Sequence, residues 1–205
     1  MAKKTREDAL KTRTRILASA LSLFSKNGYD HTTFNDIAAR LKMTKGAVYW
    51  HFESKEALLL ALVDEMLVRF RRIIERRMPV DRLSFPVVAD VMSSVAAVVA
   101  AEPSARAFFM LMHTQVRWGS ATMAKVREEL LTDDRFGPAK AFRSAIENDK
   151  RSGLVRRDVA VDEVVGTCIA IWDGLVRSRI DSFLACDLKS AVRHAYDAIW
   201  RSLKV

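Results

Sequence analysis

The residues with the most distinctive chemistry lie in one short stretch, TKGAVYWHFESKEAL, which runs from Thr44 to Leu58. It combines lysines, a histidine, a tyrosine, a tryptophan and a glycine. A buried helix has little use for the cations, and a solvated helix has little use for the indole ring or the glycine. Cations and hydroxyl groups bind phosphate, and a glycine lets another molecule approach the backbone closely. The composition therefore favours a surface that contacts a polyanion.

Two short predicted helices, joined by a three-residue turn, place this stretch in a known motif. The first covers about 33–40, with Thr33 as its N-cap and an aspartate three residues later, and the second covers about 44–50, with Thr44 as its N-cap. Residues 41–43 form the turn. This arrangement is typical of a helix-turn-helix, whose second helix enters the major groove of DNA with its N-terminal residues leading.

The side chains around the second of these helices match the groups that contact DNA. Thr44 and the N–H groups at the start of the helix can bind a phosphate, and Lys45 can reach a phosphate or a base edge. Tyr49 offers a hydroxyl to phosphate, and Trp50 offers its ring edge to a sugar or a thymine methyl group. The alternatives are a solvated face for the lysines and a packing role for His51. The predicted DNA-binding residues are Thr33, Lys42, Thr44, Lys45, Gly46, Tyr49, Trp50, His51 and Lys55.

Apolar residues recur at helical spacing along the rest of the chain. They predict a first helix over about 8–26 and a fourth over about 54–77, which Pro79 ends. No strand pattern or internal repeat accompanies them, so we predict an all-α fold. The other helices are expected over about 84–101, 103–116, 120–150 (with a break at Gly137–Pro138 left open), 160–183 and 188–203.

The net charge of +9 is concentrated in the first quarter of the chain. Residues 1–55 hold eleven Lys and Arg against five Asp and Glu, whereas the remaining residues hold 23 against 20. This asymmetry indicates a polyanionic partner, either nucleic acid or an anionic membrane surface, with a solvated basic face as the alternative.

The cysteine and apolar patterns argue against a metalloprotein, a membrane-spanning protein and a secreted protein. Cys168 and Cys186 lie far apart without a CxxC pair and the histidines are scattered, so we predict no metal and no cofactor. Unpaired thiols favour a reducing compartment. The chain has no apolar run of about eighteen residues, and its start, MAKKTRED, lacks the apolar region of a signal peptide. We therefore expect a cytoplasmic protein without a membrane span.

Four pieces of sequence within residues 12–62 resemble the DNA-binding domain of the TetR family of bacterial transcriptional repressors. They are TRTRILASALSLFSKNGYD, TTFNDIAARL, MTKGAVYWHF and SKEALLLAL. The family pattern is Phe-x-x-x-Gly-Tyr, then Thr-Thr-x-x-x-Ile-Ala, then Gly-x-x-Tyr-x-His-Phe, then Lys-x-x-Leu. The resemblance implies that Lys45 and Gly46 face the groove. It implies phosphate contacts for Thr33, Thr44, Tyr49, His51 and Lys55.

The resemblance also implies a larger C-terminal helical domain that binds a small ligand in a cavity and dimerises through the last two helices. We predict a DNA-binding domain over residues 1–55 and a ligand-binding and dimerisation domain over residues 56–205. The last two helices have wide apolar faces that could pack against a core and a partner, with burial inside one chain as the alternative. The expected dimer-interface residues are Val164, Cys168, Leu175, Tyr196, Ile199 and Trp200.

Methionine and aromatic residues in the middle of the chain suit an adaptable ligand pocket, although such residues also form ordinary cores. The segments Asp173-Gly174-Leu175 and GLVRRD resemble the AcrR-like, efflux-regulating branch of the family. We expect Trp172 to lie closest to the ligand. The expected ligand-binding residues are Met66, Phe70, Met92, Phe109, Met112, His113, Trp118, Trp172, Asp173 and Val176.

Taken with the resemblance, these patterns predict a homodimeric repressor that binds an inverted-repeat DNA operator. A small hydrophobic or amphipathic effector would release it, and a multidrug efflux gene is the expected target. One alternative is a C-terminal domain that binds a protein partner instead of a small ligand, and another is a basic architectural DNA coat. An enzyme is not predicted, because the sequence has no Walker motif, dinucleotide fingerprint, HExxH or GxSxG.

Overall fold

The computed structural model describes residues 2–77, 83–126, 128 and 138–205, and these residues are almost entirely helical. Within them, Val155 and Lys204 form an isolated antiparallel bridge and no strand is present. The predicted all-α fold is therefore confirmed. The helices are α1 (Ala2–Asn27), α2 (Phe34–Leu41), α3 (Lys45–His51), α4 (Lys55–Arg77), α5 (Phe85–Ala101), α6 (Pro103–Met110), α7 (Pro138–Arg151), α8 (Val161–Ile180) and α9 (Leu188–Leu203).

The observed helix bounds depart most from the predicted ones in three places. Helix α1 begins six residues before the predicted start, because no breaker interrupts its first turns. Helix α6 ends at Met110 and continues as a π turn over Leu111–Gln115 instead of one α-helix. Of the helix expected over 120–150, the described residues show a 3-10 turn at Ala121–Met123, α-helical residues at 124–126 and 128, and then α7. Helix α7 begins at a proline, as first-turn geometry allows. The predicted stop at Pro79 and Gly137 itself lie outside the described residues.

Helices α2 and α3 begin and end where local chemistry dictates. The Thr33 hydroxyl oxygen accepts from the Asp36 N–H at 3.3 Å, and the Asp36 carboxylate accepts from the Thr33 N–H at 2.7 Å. These two bonds form the predicted capping box. Lys42 ends α2 in the left-handed conformation at φ 55°. The Thr44 hydroxyl oxygen then accepts from the Ala47 N–H at 3.2 Å and starts α3. Local hydrogen bonds thus set the turn between the two helices.

The chain divides into two compact units, and the division differs from the predicted boundary after residue 55. The first unit lies within Met1–Met66 and Ser104–Thr132, and the second lies within Leu67–Pro103 and Asp133–Val205. Helix α4 continues from the first unit into the second. The first unit therefore contains the helix-turn-helix and a segment from the middle of the chain.

The middle segment of the first unit packs against α1 through its π turn. Arg117 donates to Asp30 Oδ2 at 2.7 Å, just after α1 ends. Gly28, at φ +92°, adopts a conformation that L side chains rarely take, and a Cβ there would lie 3.2 Å from Gln115 Oε1. Glycine is therefore needed where α1 ends.

The second unit has an aromatic core between α5, α7 and α9. The ring centroids of Phe85 and Phe142 lie 5.3 Å apart, and those of Phe142 and Tyr196 lie 5.1 Å apart. Asp149 from α7 accepts a hydrogen bond from the Phe85 N–H at 2.8 Å, so a distant carboxylate caps α5. Burial raises the pKa of Asp149, while the bond from Phe85 acts in the opposite direction.

Among the described residues, no single helix is long and apolar enough to cross a membrane. The consecutive segments Phe85–Ala101 and Pro103–Gln115 reach that length and apolarity only as a bent pair.

Candidate nucleic-acid interface

Helix α3 presents one buried anchor and an exposed face. Val48 is completely buried, and it packs the helix into the small core of the first unit. On the other side, Lys45, Gly46, Tyr49 and Trp50 are exposed. Trp50 retains 74% of its surface and Tyr49 retains 49%. Large aromatic side chains are rarely left this open without a partner, so the face is a candidate binding surface.

Gly46 also indicates a binding surface, because no atom of the described residues crowds this position. The first atom that a Cβ at this position would meet is Thr44 Oγ1, at an ordinary contact distance of 3.9 Å. Glycine also weakens a helix relative to alanine. Crowding in the described part of the protein therefore does not explain the glycine, and close approach of another molecule at Gly46 stays a prediction.

The exposed aromatic rings are oriented by their neighbours. Tyr49 packs edge-on against the buried Phe34 of α2, with ring centroids 4.8 Å apart. The Lys45 ammonium lies 5.5 Å from the Tyr49 ring centroid, within reach of a cation–π interaction. Trp50 and His51 meet edge-to-face at 4.6 Å. These contacts limit how the rings can turn while leaving much of their surface open.

His51 is half-buried at the end of α3 and lies near the positively charged Arg13. Burial lowers its pKa, and the charge of Arg13 lowers it further. The Arg13 guanidinium lies 4.8 Å from the centroid of the Phe52 ring, beside this histidine. His51 is therefore biased towards the neutral form, in which it can donate one hydrogen bond but carries no charge. Arg13 was not predicted as a site residue, because only the fold brings α1 beside the end of α3.

Thr33 and Lys42 flank α2 on the same unit, and both are exposed. The Thr33 hydroxyl donates to Asp36 Oδ2 at 2.7 Å in addition to its capping role. This hydroxyl, followed by the Thr33 N–H, holds the pKa of Asp36 below its ordinary value. The capping role of Thr33 is confirmed, and contact of either residue with phosphate stays a prediction.

Lys55 forms hydrogen bonds within its own chain. Its ammonium donates to the backbone carbonyl oxygens of Tyr29 at 2.8 Å, Thr32 at 3.2 Å and Asp30 at 3.4 Å. It also lies 4.4 Å from the centroid of the Tyr29 ring. An ammonium group has three donors, and these carbonyls use all three. In this DNA-free structure the ammonium binds its own chain, and contact of Lys55 with phosphate stays a prediction.

The predicted ligand-binding residues divide between the two units. Buried members include Met66 in the first unit and Trp172 in the second, whereas Asp173 is exposed. In the first unit, the rings of Phe109 and His113 stack at 5.9 Å. The Trp118 indole N–H donates to the Met112 carbonyl at 2.7 Å. The first unit holds Met66, Phe109, Met112, His113 and Trp118, and the second holds Phe70, Met92, Trp172, Asp173 and Val176. Ligand binding by these residues stays a prediction.

Two of the predicted dimer-interface residues belong to the core of their own chain. Cys168 and Tyr196 are completely buried, and the Tyr196 hydroxyl donates to the Cys168 carbonyl at 3.2 Å. Burial raises the pKa of both side chains, that of Cys168 to about 12. Their assignment to the interface is wrong, because neither has surface left for a partner. The partly exposed members of the set are Val164, Leu175, Ile199 and Trp200.

Across the described residues, no group of three or more His, Cys, Asp or Glu side chains is placed to hold a metal ion.

Comparison with known proteins identifies the family that part of the first unit matches. Residues 16–62, which include α2 and α3, match the family described as "Bacterial regulatory proteins, tetR family". The chain is 25% identical over 208 aligned positions to the probable acrEF/envCD operon repressor of Escherichia coli K12, covering 98% of this chain and 90% of that protein.

Solved structures share the whole fold. The crystal structure of NalD, the secondary repressor of the MexAB-OprM multidrug efflux pump in Pseudomonas aeruginosa, matches with a TM-score of 0.76 at 21% identity, covering 96% of this chain and 97% of NalD. The SmeT–triclosan complex matches with a TM-score of 0.79 at 22% identity, covering 95% and 92% of the two chains. The exposed face of α3, the matched residues and the shared fold agree, and residues 16–62 belong to the tetR family of bacterial regulatory proteins.

Proposed function

We propose that this DNA-binding transcriptional regulator is a homodimeric repressor that a small hydrophobic or amphipathic effector releases from an inverted-repeat operator. The observation that carries the DNA contact is the exposed face of α3, where Lys45, Gly46, Tyr49 and Trp50 lie together. The cation suits a phosphate or a base edge, the tyrosine hydroxyl suits a phosphate, and the bare backbone admits close approach.

The dimer is supported by what remains exposed on the last two helices. Val164 and Leu175 on α8, with Ile199 and Trp200 on α9, keep part of their apolar surface outside the core of their own chain. Trp200 is held in place by stacking on Phe85 at 5.7 Å. A symmetric dimer uses the same patch on both subunits, so two such faces can pair.

The effector and the target are supported by the relatives. SmeT was solved with triclosan, and the names of NalD and the acrEF/envCD repressor refer to an efflux pump and to an operon, respectively. We propose the same class of effector and an efflux gene as target. The effector would act by favouring a dimer whose two α3 helices no longer match the operator. Complete release needs roughly a 10⁴-fold difference in effector affinity between the two conformations.

The test is selection of DNA duplexes from a random-sequence library by the full-length protein. We expect the selected duplex to contain an inverted repeat, with half-sites roughly 34–36 Å apart or at a multiple of that distance. Two protomers should bind it together, as measured by sedimentation. Recovery of a single asymmetric half-site that one protomer binds at full affinity would contradict the proposal.

A further inference from the structure

The connection between α1 and α2, residues 28–33, has no helical hydrogen-bond ladder of its own. It turns at Gly28, and the buried Thr32 closes it with a hydroxyl bond to the Gly28 carbonyl at 2.9 Å. The Thr32 N–H also donates to the Tyr29 carbonyl at 3.3 Å. The connection ends at Thr33, the N-cap of α2. Its conformation therefore sets where α2 begins.

Lys55, the first residue of α4, holds this connection from outside. Its ammonium binds the carbonyls of Tyr29, Asp30 and Thr32 and lies over the Tyr29 ring, which is 2% exposed. Charged donors make stronger hydrogen bonds than neutral ones. Three carbonyl oxygens that converge on one cation fix the backbone more tightly than the turn alone.

We propose that Lys55 is a positioning residue for DNA recognition and not a phosphate contact. It acts through a short chain of observed contacts. Lys55 binds the carbonyl of Thr32, which is the residue before the N-cap of α2. Phe34 follows the N-cap as the first residue of α2, and its ring packs on Tyr49 of the exposed α3 face. This inference rests on the proposed DNA-binding function of α3 and extends the recognition machinery to α4.

Arg117 provides a matched comparison on the same connection. Its guanidinium binds the Asp30 carboxylate, and both members of this ion pair are exposed to solvent, Arg117 the more so. Exposed ion pairs contribute little to stability, whereas Lys55 is half-buried and binds backbone. Arg117→Met is therefore a control for loss of a positive charge near the connection.

The experiment compares Lys55→Met, Lys55→Arg and the controls Lys45→Met and Arg117→Met in the full chain. Each is titrated with the selected duplex and with an unrelated duplex over a range of salt concentrations. Lys55→Met should weaken binding of the selected duplex about tenfold, roughly the effect of losing one charge-assisted hydrogen bond. Binding of the unrelated duplex should change less than about twofold, and the salt slope should not change, because no phosphate contact is lost.

Lys55→Arg separates geometry from charge. A phosphate accepts arginine as readily as lysine, but a planar guanidinium cannot place one nitrogen between three carbonyls. We therefore expect Lys55→Arg to remain weakened on the selected duplex and its Thr32 amide to exchange faster than in the unchanged protein. The amide exchange is measured in Lys55→Arg without DNA. It therefore still tests the positioning role if Lys55→Met does not fold.

Two results would overturn the inference. One is a salt slope reduced by about 0.9 in Lys55→Met with equal loss on both duplexes, which is the signature of a lost phosphate contact. The other is unaltered affinity and Thr32 exchange in Lys55→Arg. Failure of the proposed function has a different signature. The unchanged protein would then show no preference for any duplex, and Lys45→Met would bind DNA with the same affinity as the unchanged protein.

Discussion

Aromatic side chains have opposite surroundings in the recognition helix and in the core of the second unit. On α3, Tyr49 and Trp50 are open to solvent, whereas in the second unit Phe85, Phe142 and Tyr196 are completely buried against one another. Burial of large rings is a main source of folding free energy, and exposed rings contribute little of it. The buried rings are therefore explained by stability, and we propose that the exposed ones contact DNA.

The largest effect that would sharpen this comparison is on stability. Phe142→Ala should lower the free energy of unfolding by about 3–5 kcal/mol, because it leaves a cavity between α5 and α9. Trp50→Ala should change that free energy by less than about 0.5 kcal/mol, as is usual for surface positions. Urea denaturation followed by circular dichroism measures both. Equal destabilisation by the two substitutions would break the distinction between the regions.

A smaller effect concerns pH and the carboxylate that caps α5. Burial raises the pKa of Asp149 above its ordinary value of 3.8, so the folded chain holds this proton more tightly than the unfolded chain does. The stabilisation linked to this group is then greatest below pH 3.8 and is lost as the pH rises through the folded-state pKa. Asparagine stays neutral and keeps an oxygen for the Phe85 N–H.

The expected result follows from the raised pKa of Asp149 in the folded chain. As the pH is raised from about 3.8, the melting temperature of Asp149→Asn should rise relative to that of the unchanged protein. Thermal denaturation at several pH values measures this difference in melting temperature. The contributions of the other titrating groups are the same in both proteins and cancel. A trend in the reverse direction would mean that the Phe85 bond outweighs burial.

The parts of the fold that local sequence controls were predictable. Thr33 and Thr44 cap α2 and α3 through residues three positions away, so the pattern alone located both helices. Periodicity likewise predicted the all-α fold. The π turn at Leu111–Gln115 was not predicted, since apolar spacing does not separate it from a continuing α-helix.

The surroundings of Lys55, Cys168 and Tyr196 depend on contacts between distant segments. Lys55 binds carbonyls more than twenty positions earlier, and nothing in its own neighbourhood shows that its donors are used. Cys168 and Tyr196 lie on helices with wide apolar faces, and such a face does not say which side turns inward. The exposed residues of α3 were found because exposure at a helix-turn-helix is a property of the motif itself.

The most direct test of the central claim, that the exposed face of α3 contacts DNA, is tryptophan fluorescence during titration with the selected duplex. Trp50 is the most exposed of the four indoles, so DNA bound at α3 should change its emission most. We predict a clear change in the unchanged protein and loss of most of it in Trp50→Phe, with saturation still confirmed by anisotropy of labelled DNA. A fluorescence change of full size in Trp50→Phe would show that the duplex binds elsewhere and would contradict the account.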